Sequence, residues 1–222
     1  MACSCCAFDH TVDQQFTRAK VAKELRRFRR KGLGRTARLL CDGLTAARLT
    51  TGTVPDVGAG VGALTFALLD EGMTRATVVE ASAAYLAAAS EETTRRGRSA
   101  VVHFVHGDYV AIGPQVPGAA VVTLDRVVCC YPLFEPLLEQ AAHHAEVSIA
   151  LSYPRDRWFV RLGLSFENLM RRARGNGFRT FLHAPPAMQQ VLERGGFEPA
   201  SRRSTPAWSA DVFVRHSHRE GP

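Results

Sequence analysis

Hydrophobic and polar positions along this chain follow two periods, and they change over at short intervals. From Thr11 to about Leu40, Phe16, Ala19, Val21, Ala22, Leu25 and Phe28 recur at three- and four-residue steps, the signature of an amphipathic helix. Gly32 and Gly34 punctuate that pattern, and a second helix is predicted from Arg35 to about Leu49. Short apolar runs then alternate with helical stretches. Strands are predicted at Val54–Val57, Ala76–Val79, Val101–Val105, Ala119–Leu124 and about Val147–Ser152. Helices fall between them, at Ala63–Leu69, from Tyr85 to about Arg96, and at Phe134–Ala145. This alternation requires a doubly wound, mostly parallel sheet. An apolar helix over 158–172 and another over Pro185–Arg194 follow, then two closing strands near Glu198–Thr205 and Ala210–Arg215. The expected organisation is an N-terminal helical lid over 1–34 and an α/β domain over 35–218, its sheet of about seven strands ending in an antiparallel hairpin.

Composition narrows this picture. The 222 residues are 46% hydrophobic, enough to bury a sizeable core in one large domain. No run of 18 apolar residues is present, and the start shows no basic segment leading into an apolar one. The expectation is therefore a cytoplasmic protein without a membrane span, its six cysteines mostly reduced thiols. The net charge of +7 is concentrated: residues 18–38 carry ten Lys/Arg against Glu24, leaving the rest of the chain slightly acidic. Such a distribution indicates one basic helix rather than a nucleic-acid surface. Its basic face reads either as solvated surface or as an attractor for an anionic small molecule over a pocket mouth. Cys3, Cys5 and Cys6 precede His10, but no second Cys/His pair at zinc-finger spacing follows, so no metal site is expected.

The chemistry centres on Asp56-Val57-Gly58-Ala59-Gly60-Val61-Gly62, between a strand and a helix. Glycines at alternate positions let the backbone turn sharply and approach a ligand without a Cβ in the way. The following helix offers free N–H groups and a positive dipole end. Ala63, three positions after Gly60, leaves a dinucleotide turn open by spacing alone. Asp56, however, would repel a pyrophosphate, whereas it could accept from an ammonium group directly or through water. Glu80 ends the second strand 24 positions after Asp56 and can accept from both hydroxyls of a ribose. Gly107-Asp108 follows the third strand, so three carboxylates fall at the C-terminal ends of successive strands, the ligand rim of such sheets.

Asp-x-Gly-x-Gly-x-Gly resembles motif I of the class I S-adenosylmethionine-dependent methyltransferases, and the resemblance runs from about residue 36 onward through Glu80, His106-Gly107-Asp108 and residues 124–132 (LDRVVCCYP). It implies a Rossmann-like fold, S-adenosyl-L-methionine as cofactor, and methyl transfer to a small-molecule acceptor, O- or N-directed. It further implies a cofactor site lined by Asp56, Gly58, Ala59, Gly60, Gly62, Glu80, Ala81, Gly107, Asp108, Tyr109 and Asp125, with Asp108 accepting from the adenine amine. Residues 124–132, Leu151-Ser152-Tyr153-Pro154-Arg155-Asp156-Arg157 and 178–197 look, more loosely, like magnesium-protoporphyrin O-methyltransferases. Those commonly place a His before the Tyr-Pro pair, where this chain has Cys130.

Asp125, Tyr131 and Tyr153 are the candidates for framing the transferable methyl, with His183 an outlier. Pro132 restricts Tyr131 to extended geometry, so its hydroxyl could orient an acceptor oxygen or the methyl itself. No Asn-Pro-Pro-Tyr or Asp-Pro-Pro-Tyr follows the fourth strand, which argues against an amino-directed nucleic-acid enzyme, and no Pro-Cys stands there. Two rivals stay open: a thiol-dependent methyltransferase acting on an arsenic-like centre through Cys129 or Cys130, and a cofactor-binding module without turnover. Adjacent cysteines at a strand end would point opposite ways, admitting at most one of them to the pocket.

Overall fold

The computed structural model describes residues 11–216; the Cys3, Cys5, Cys6 tail lies outside the described residues. Seven strands form one sheet: β1 (Thr53–Val57), β2 (Arg75–Glu80), β3 (Val102–His106), β4 (Ala119–Asp125), β5 (Ala145–Pro154), β6 (Phe197–Ser204) and β7 (Trp208–Arg215). Their order is β3-β2-β1-β4-β5-β7-β6, with β1 to β5 parallel and β7 antiparallel to both β5 and β6. The predicted doubly wound sheet and closing hairpin are present. The order reverses between β1 and β4, and a parallel sheet opens its ligand crevice at such a switch point.

Strand alternation feeds two apolar layers. Val122, Leu124, Ile149, Leu151 and Phe213 point to one face and meet α5 (Phe134–His144) and α7 (Pro185–Arg194). Val121, Ala150, Ala210 and Val212 point to the other and meet α2 (Arg35–Ala46) and α3 (Ala63–Asp70). Leu40, Leu44, Leu68, Leu138 and Leu192 are fully buried in these layers, each contributing about 1.5–3 kcal/mol of transfer free energy. α2 stops at Ala46, three residues short of the sequence expectation. Arg48 adopts a left-handed backbone (φ 57°), and the Leu49 N–H closes the end on the Leu44 carbonyl.

The basic N-terminal stretch is one helix, α1 (Arg18–Lys31), preceded by a helical turn at residues 11–15 and ended at Gly32. α1 packs on α4 (Ala83–Arg95) through Val21 and Leu25 against Tyr85 and Val61. Polar contacts reinforce the seam. The Tyr85 hydroxyl donates to Glu24 at 2.6 Å, and Arg29 donates to Glu91 (2.8 Å) and Glu92 (2.9 Å). Glu92 is fully enclosed and also receives Arg95 and Arg96, Arg95 being the main reason its carboxyl falls to about 2. The lowered pKa fixes the sign of the linkage. Stability from this cluster is complete above the ordinary Glu value near 4.5 and is lost as pH falls from there toward about 2. Glu92→Gln should cost about 1.5–3 kcal/mol at neutral pH, read as a lower thermal midpoint, and the difference from wild type should shrink in acid.

Candidate functional site

The turn after β1 is held by two buried carboxylates. Asp56, 1% exposed, accepts from the Thr65 hydroxyl on α3 (2.6 Å) and the Thr123 hydroxyl on β4 (2.7 Å). Burial raises its pKa to about 6, with the two hydroxyls opposing the rise. Glu80 accepts from the Gly60 N–H and the Ser82 N–H, each at 2.9 Å. Burial lifts it further, to about 7, against the pull of those two backbone donors. Gly58, Gly60 and Gly62 all have positive φ. A Cβ on Gly58 would lie 2.5 Å from a Val127 methyl, so the β1 turn and the loop after β4 close on each other only because that side chain is absent.

Asp108 caps the short helical turn Tyr109–Ile112 by accepting from the Val110 N–H at 3.1 Å, and its two oxygens lie 2.9 and 2.7 Å from the Tyr131 hydroxyl. Gly107 enters this corner at φ 141°, its N–H on the Glu80 carbonyl. Ala59 and Ala81 lie half-buried beside the turn and the end of β2. Asp125 ends β4 at the rim. It accepts from the Ser152 hydroxyl at 2.5 Å, and burial raises its pKa while that hydroxyl and Thr36 oppose the rise.

Three expected placements need correction. Tyr109 does not face the rim: it is 3% exposed in the core, its hydroxyl 2.7 Å from His144 Nδ1. The residue following the Asp108 cap turns inward with the helical turn. Tyr153 is buried on the α5/α7 face, and its hydroxyl donates to Asp211 at 2.7 Å, because strand alternation groups it with Ile149 and Leu151. Tyr131 is near the site, but its hydroxyl is committed to Asp108, the carboxylate assigned to adenine, rather than to an acceptor. Cys129 and Cys130 also depart from expectation. They lie on a 3-10 turn (Val128–Cys130), not a strand end, and their sulfurs sit 3.8 Å apart, both directed at the Arg126 carbonyl.

Sequence reasoning overlooked Arg126, which sits in that rim segment with a left-handed backbone (φ 63°). Its N–H donates to the Ser152 hydroxyl at 2.9 Å, and its guanidinium lies 4.8 Å from the Trp208 ring centre. A strained non-glycine residue directly after a rim carboxylate is a common mark of a functional loop. His183 pins the loop, its Nε2–H donating to the Tyr131 carbonyl at 2.9 Å.

Residues 18–133 match the family described as methyltransferase small domain. The chain belongs to that family. This methyltransferase shares its fold with solved structures of low sequence identity. Magnesium protoporphyrin IX methyltransferase from Synechocystis PCC 6803, crystallised with SAH, is 20% identical, with a TM-score of 0.64 over 81% of this chain and 82% of that one. An O-methyltransferase family protein from Burkholderia thailandensis is 16% identical, with a TM-score of 0.69 over 89% of this chain and 59% of that one. An O-methyltransferase from neocarzinostatin biosynthesis, solved with SAH and 1,4-dihydroxy-2-naphthoic acid, is 17% identical, with a TM-score of 0.54 over 81% and 56%. No curated protein sequence matches the chain.

The cofactor of the methyltransferase is S-adenosylmethionine, and the residues present fit it. Gly58, Gly60 and Gly62 hold the turn in left-handed backbone ahead of the N-terminus of α3, where backbone N–H groups suit a charged or polar ligand. Glu80, with one oxygen on each backbone donor, keeps acceptor sites for a ribose diol. If Glu80 accepts from that diol, binding favours its ionised form, so affinity for S-adenosylhomocysteine should rise as pH increases through about 7. Calorimetry across pH 5.5–8.5, a window of about three units around that value, should lose this slope in Glu80→Gln. Tyr131→Phe leaves Asp108 without the hydroxyl that orients it. S-adenosylhomocysteine binding should weaken about tenfold, while turnover at saturating cofactor stays unchanged; a loss confined to turnover would return Tyr131 to the acceptor side.

Proposed function

We propose that this methyltransferase acts on a small molecule with an apolar body and an anionic group, at an oxygen or nitrogen. One observation carries the reading. A groove of about 760 Å³ runs between the N-terminal segment and α6 (Trp158–Ala173), and it is cationic on polar stretches and apolar between them. Lys20, Arg171 and Arg174 supply charge, Phe166 and Met170 supply apolar wall, and Glu167, the one acid among its described lining residues, is tied to Arg171 at 2.8 Å. Burial is the first reason the Lys20 pKa is lowered, and repulsion from Arg171 and Arg126 adds to it. An anion seated there relieves the repulsion. The 1,4-dihydroxy-2-naphthoic acid solved with one structural neighbour supports the same class.

When bound, the cofactor supplies an activated methyl group. The chain's own task is then alignment: the rim loop holds the acceptor atom in line, and α1 with α6 keeps water away, positioning worth about 7–11 kcal/mol. α1 serves as the lid, its basic residues guiding the acceptor toward Lys20. A carboxylate acceptor needs no base, since it is ionised at neutral pH.

A second reading, transfer to a trivalent arsenic-like centre, is favoured by the 3.8 Å approach of the Cys129 and Cys130 sulfurs, close enough for one soft centre to meet both. One experiment separates the two. Purified protein is given labelled S-adenosylmethionine with a panel of aromatic and aliphatic carboxylates, their amides, and arsenite, and products are read by mass spectrometry. The carboxylates should be methylated, with Lys20→Gln and Arg171→Gln each raising acceptor KM about tenfold and leaving S-adenosylhomocysteine affinity intact. Preference for the amides would sink the anionic reading, and methylated arsenic as the product would establish the second.

A further inference from the structure

We infer that α6 docks the protein onto an anionic lipid surface. Most helices of this fold bury one face and solvate the other; α6 is apolar on both. Its inner face holds Val160, which is buried, and Leu164, which is half-buried. Asn168 and Arg171 fasten that side to the domain, donating to the Thr180 carbonyl (2.8 Å) and hydroxyl (2.9 Å). The outer face is a stripe of Trp158, Leu162, Phe166 and Leu169, spaced four, four and three residues apart and 77%, 66%, 63% and 62% exposed. Phe159 adds to it. A helix anchored by one face cannot turn the opposite face inward without breaking those contacts, so the stripe is an outward surface.

Its rim is positive. At 100° per residue, Arg161 and Arg172 run along one edge of the stripe and Arg174 along the other. Residues 155–174 hold six Arg against Asp156 and Glu167, and both acids are already paired, with Arg161 and Arg171. Trp, Phe and Leu on one face with Arg beside them is the composition of a helix that lies in a bilayer interface. No helix among the described residues is long and apolar enough to cross a membrane. Lying on the surface requires no such length.

A second copy fits the surface less well. The exposed parts of Trp158, Phe159, Leu162, Phe166 and Leu169 sum to roughly 650 Å² of accessible surface, still below the ~800 Å² per partner of a stable interface. Two-fold pairing would also set arginine edge against arginine edge. An anionic lipid face accepts the apolar stripe and the arginines together. Phe166 is shared with the groove, so an apolar acid dissolved in that surface would meet the groove at its edge.

The test is co-sedimentation of the full chain with vesicles of phosphatidylcholine alone and of phosphatidylcholine mixed with phosphatidylglycerol. Wild type should bind the mixed vesicles, more weakly as salt rises, and poorly bind the neutral ones. Leu162→Glu should reduce binding about tenfold or more, and Arg172→Glu should reduce it on mixed vesicles only. Trp158 emission should shift to the blue on binding, and Trp158→Phe should abolish the shift. Unchanged S-adenosylhomocysteine affinity in each variant verifies that the fold is intact. Absence of wild-type binding, equal binding by Leu162→Glu, or equal binding to neutral vesicles overturns the inference. So does sedimentation equilibrium showing a dimer that Leu162→Glu dissociates, which would assign the stripe to a second copy.

Discussion

The burial of Asp56 and Glu80 is the constraint on which the rest of this molecule depends. A carboxylate withdrawn from water is costly unless donors meet it, and here the donors are the parts that must be brought together. Thr65 carries α3, Thr123 carries β4, Gly60 carries the turn and Ser82 carries the start of α4. Satisfying two charges thus assembles the switch point of the sheet before any ligand arrives. The cost remains visible in the raised pKa of both groups. A ligand that donates to the Glu80 carboxylate recovers part of it.

Around that fixed centre, cationic side chains are contributed by separate pieces of the chain. Lys20 on α1 and Arg171 on α6 come from distant parts of the chain and line one groove, and Arg126 on the β4 loop adds to the repulsion on Lys20. The loop that carries Arg126 is pinned from behind by the Phe181 N–H on the Cys129 carbonyl and by His183 on the Tyr131 carbonyl. The two parts differ in kind: buried, hydrogen-bonded carboxylates at the switch point, and cations held at the surface beside it. Methyl transfer needs alignment more than acid–base assistance.

Much of this was readable along residues 53–215, because local rules govern them. Period-2 and period-3.6 patterning located the seven strands and the helices between them, and an acid at the end of each of three strands marked the ligand rim. What misled was side-chain direction at element ends. Tyr109 and Tyr153 stand beside rim residues in sequence, yet a cap at Asp108 turns the first inward and strand alternation turns the second toward Asp211. The cysteine pair deceived for the same reason, since a 3-10 turn brings neighbouring sulfurs together where a strand would part them.

The sequence by itself determined the α/β alternation, the glycine turn and the three rim carboxylates, since spacing along one chain suffices for each. Tertiary structure alone decided which polar groups found partners: Thr65 and Thr123 for Asp56, Tyr131 for Asp108, Asp211 for Tyr153. It alone decided, too, that the outer face of the 158–173 helix is exposed rather than packed against the sheet, because an apolar period looks the same whether it meets a core or water. Those hydrogen-bond partners lie 9 to 67 positions apart, and local periodicity carries no record of such contacts.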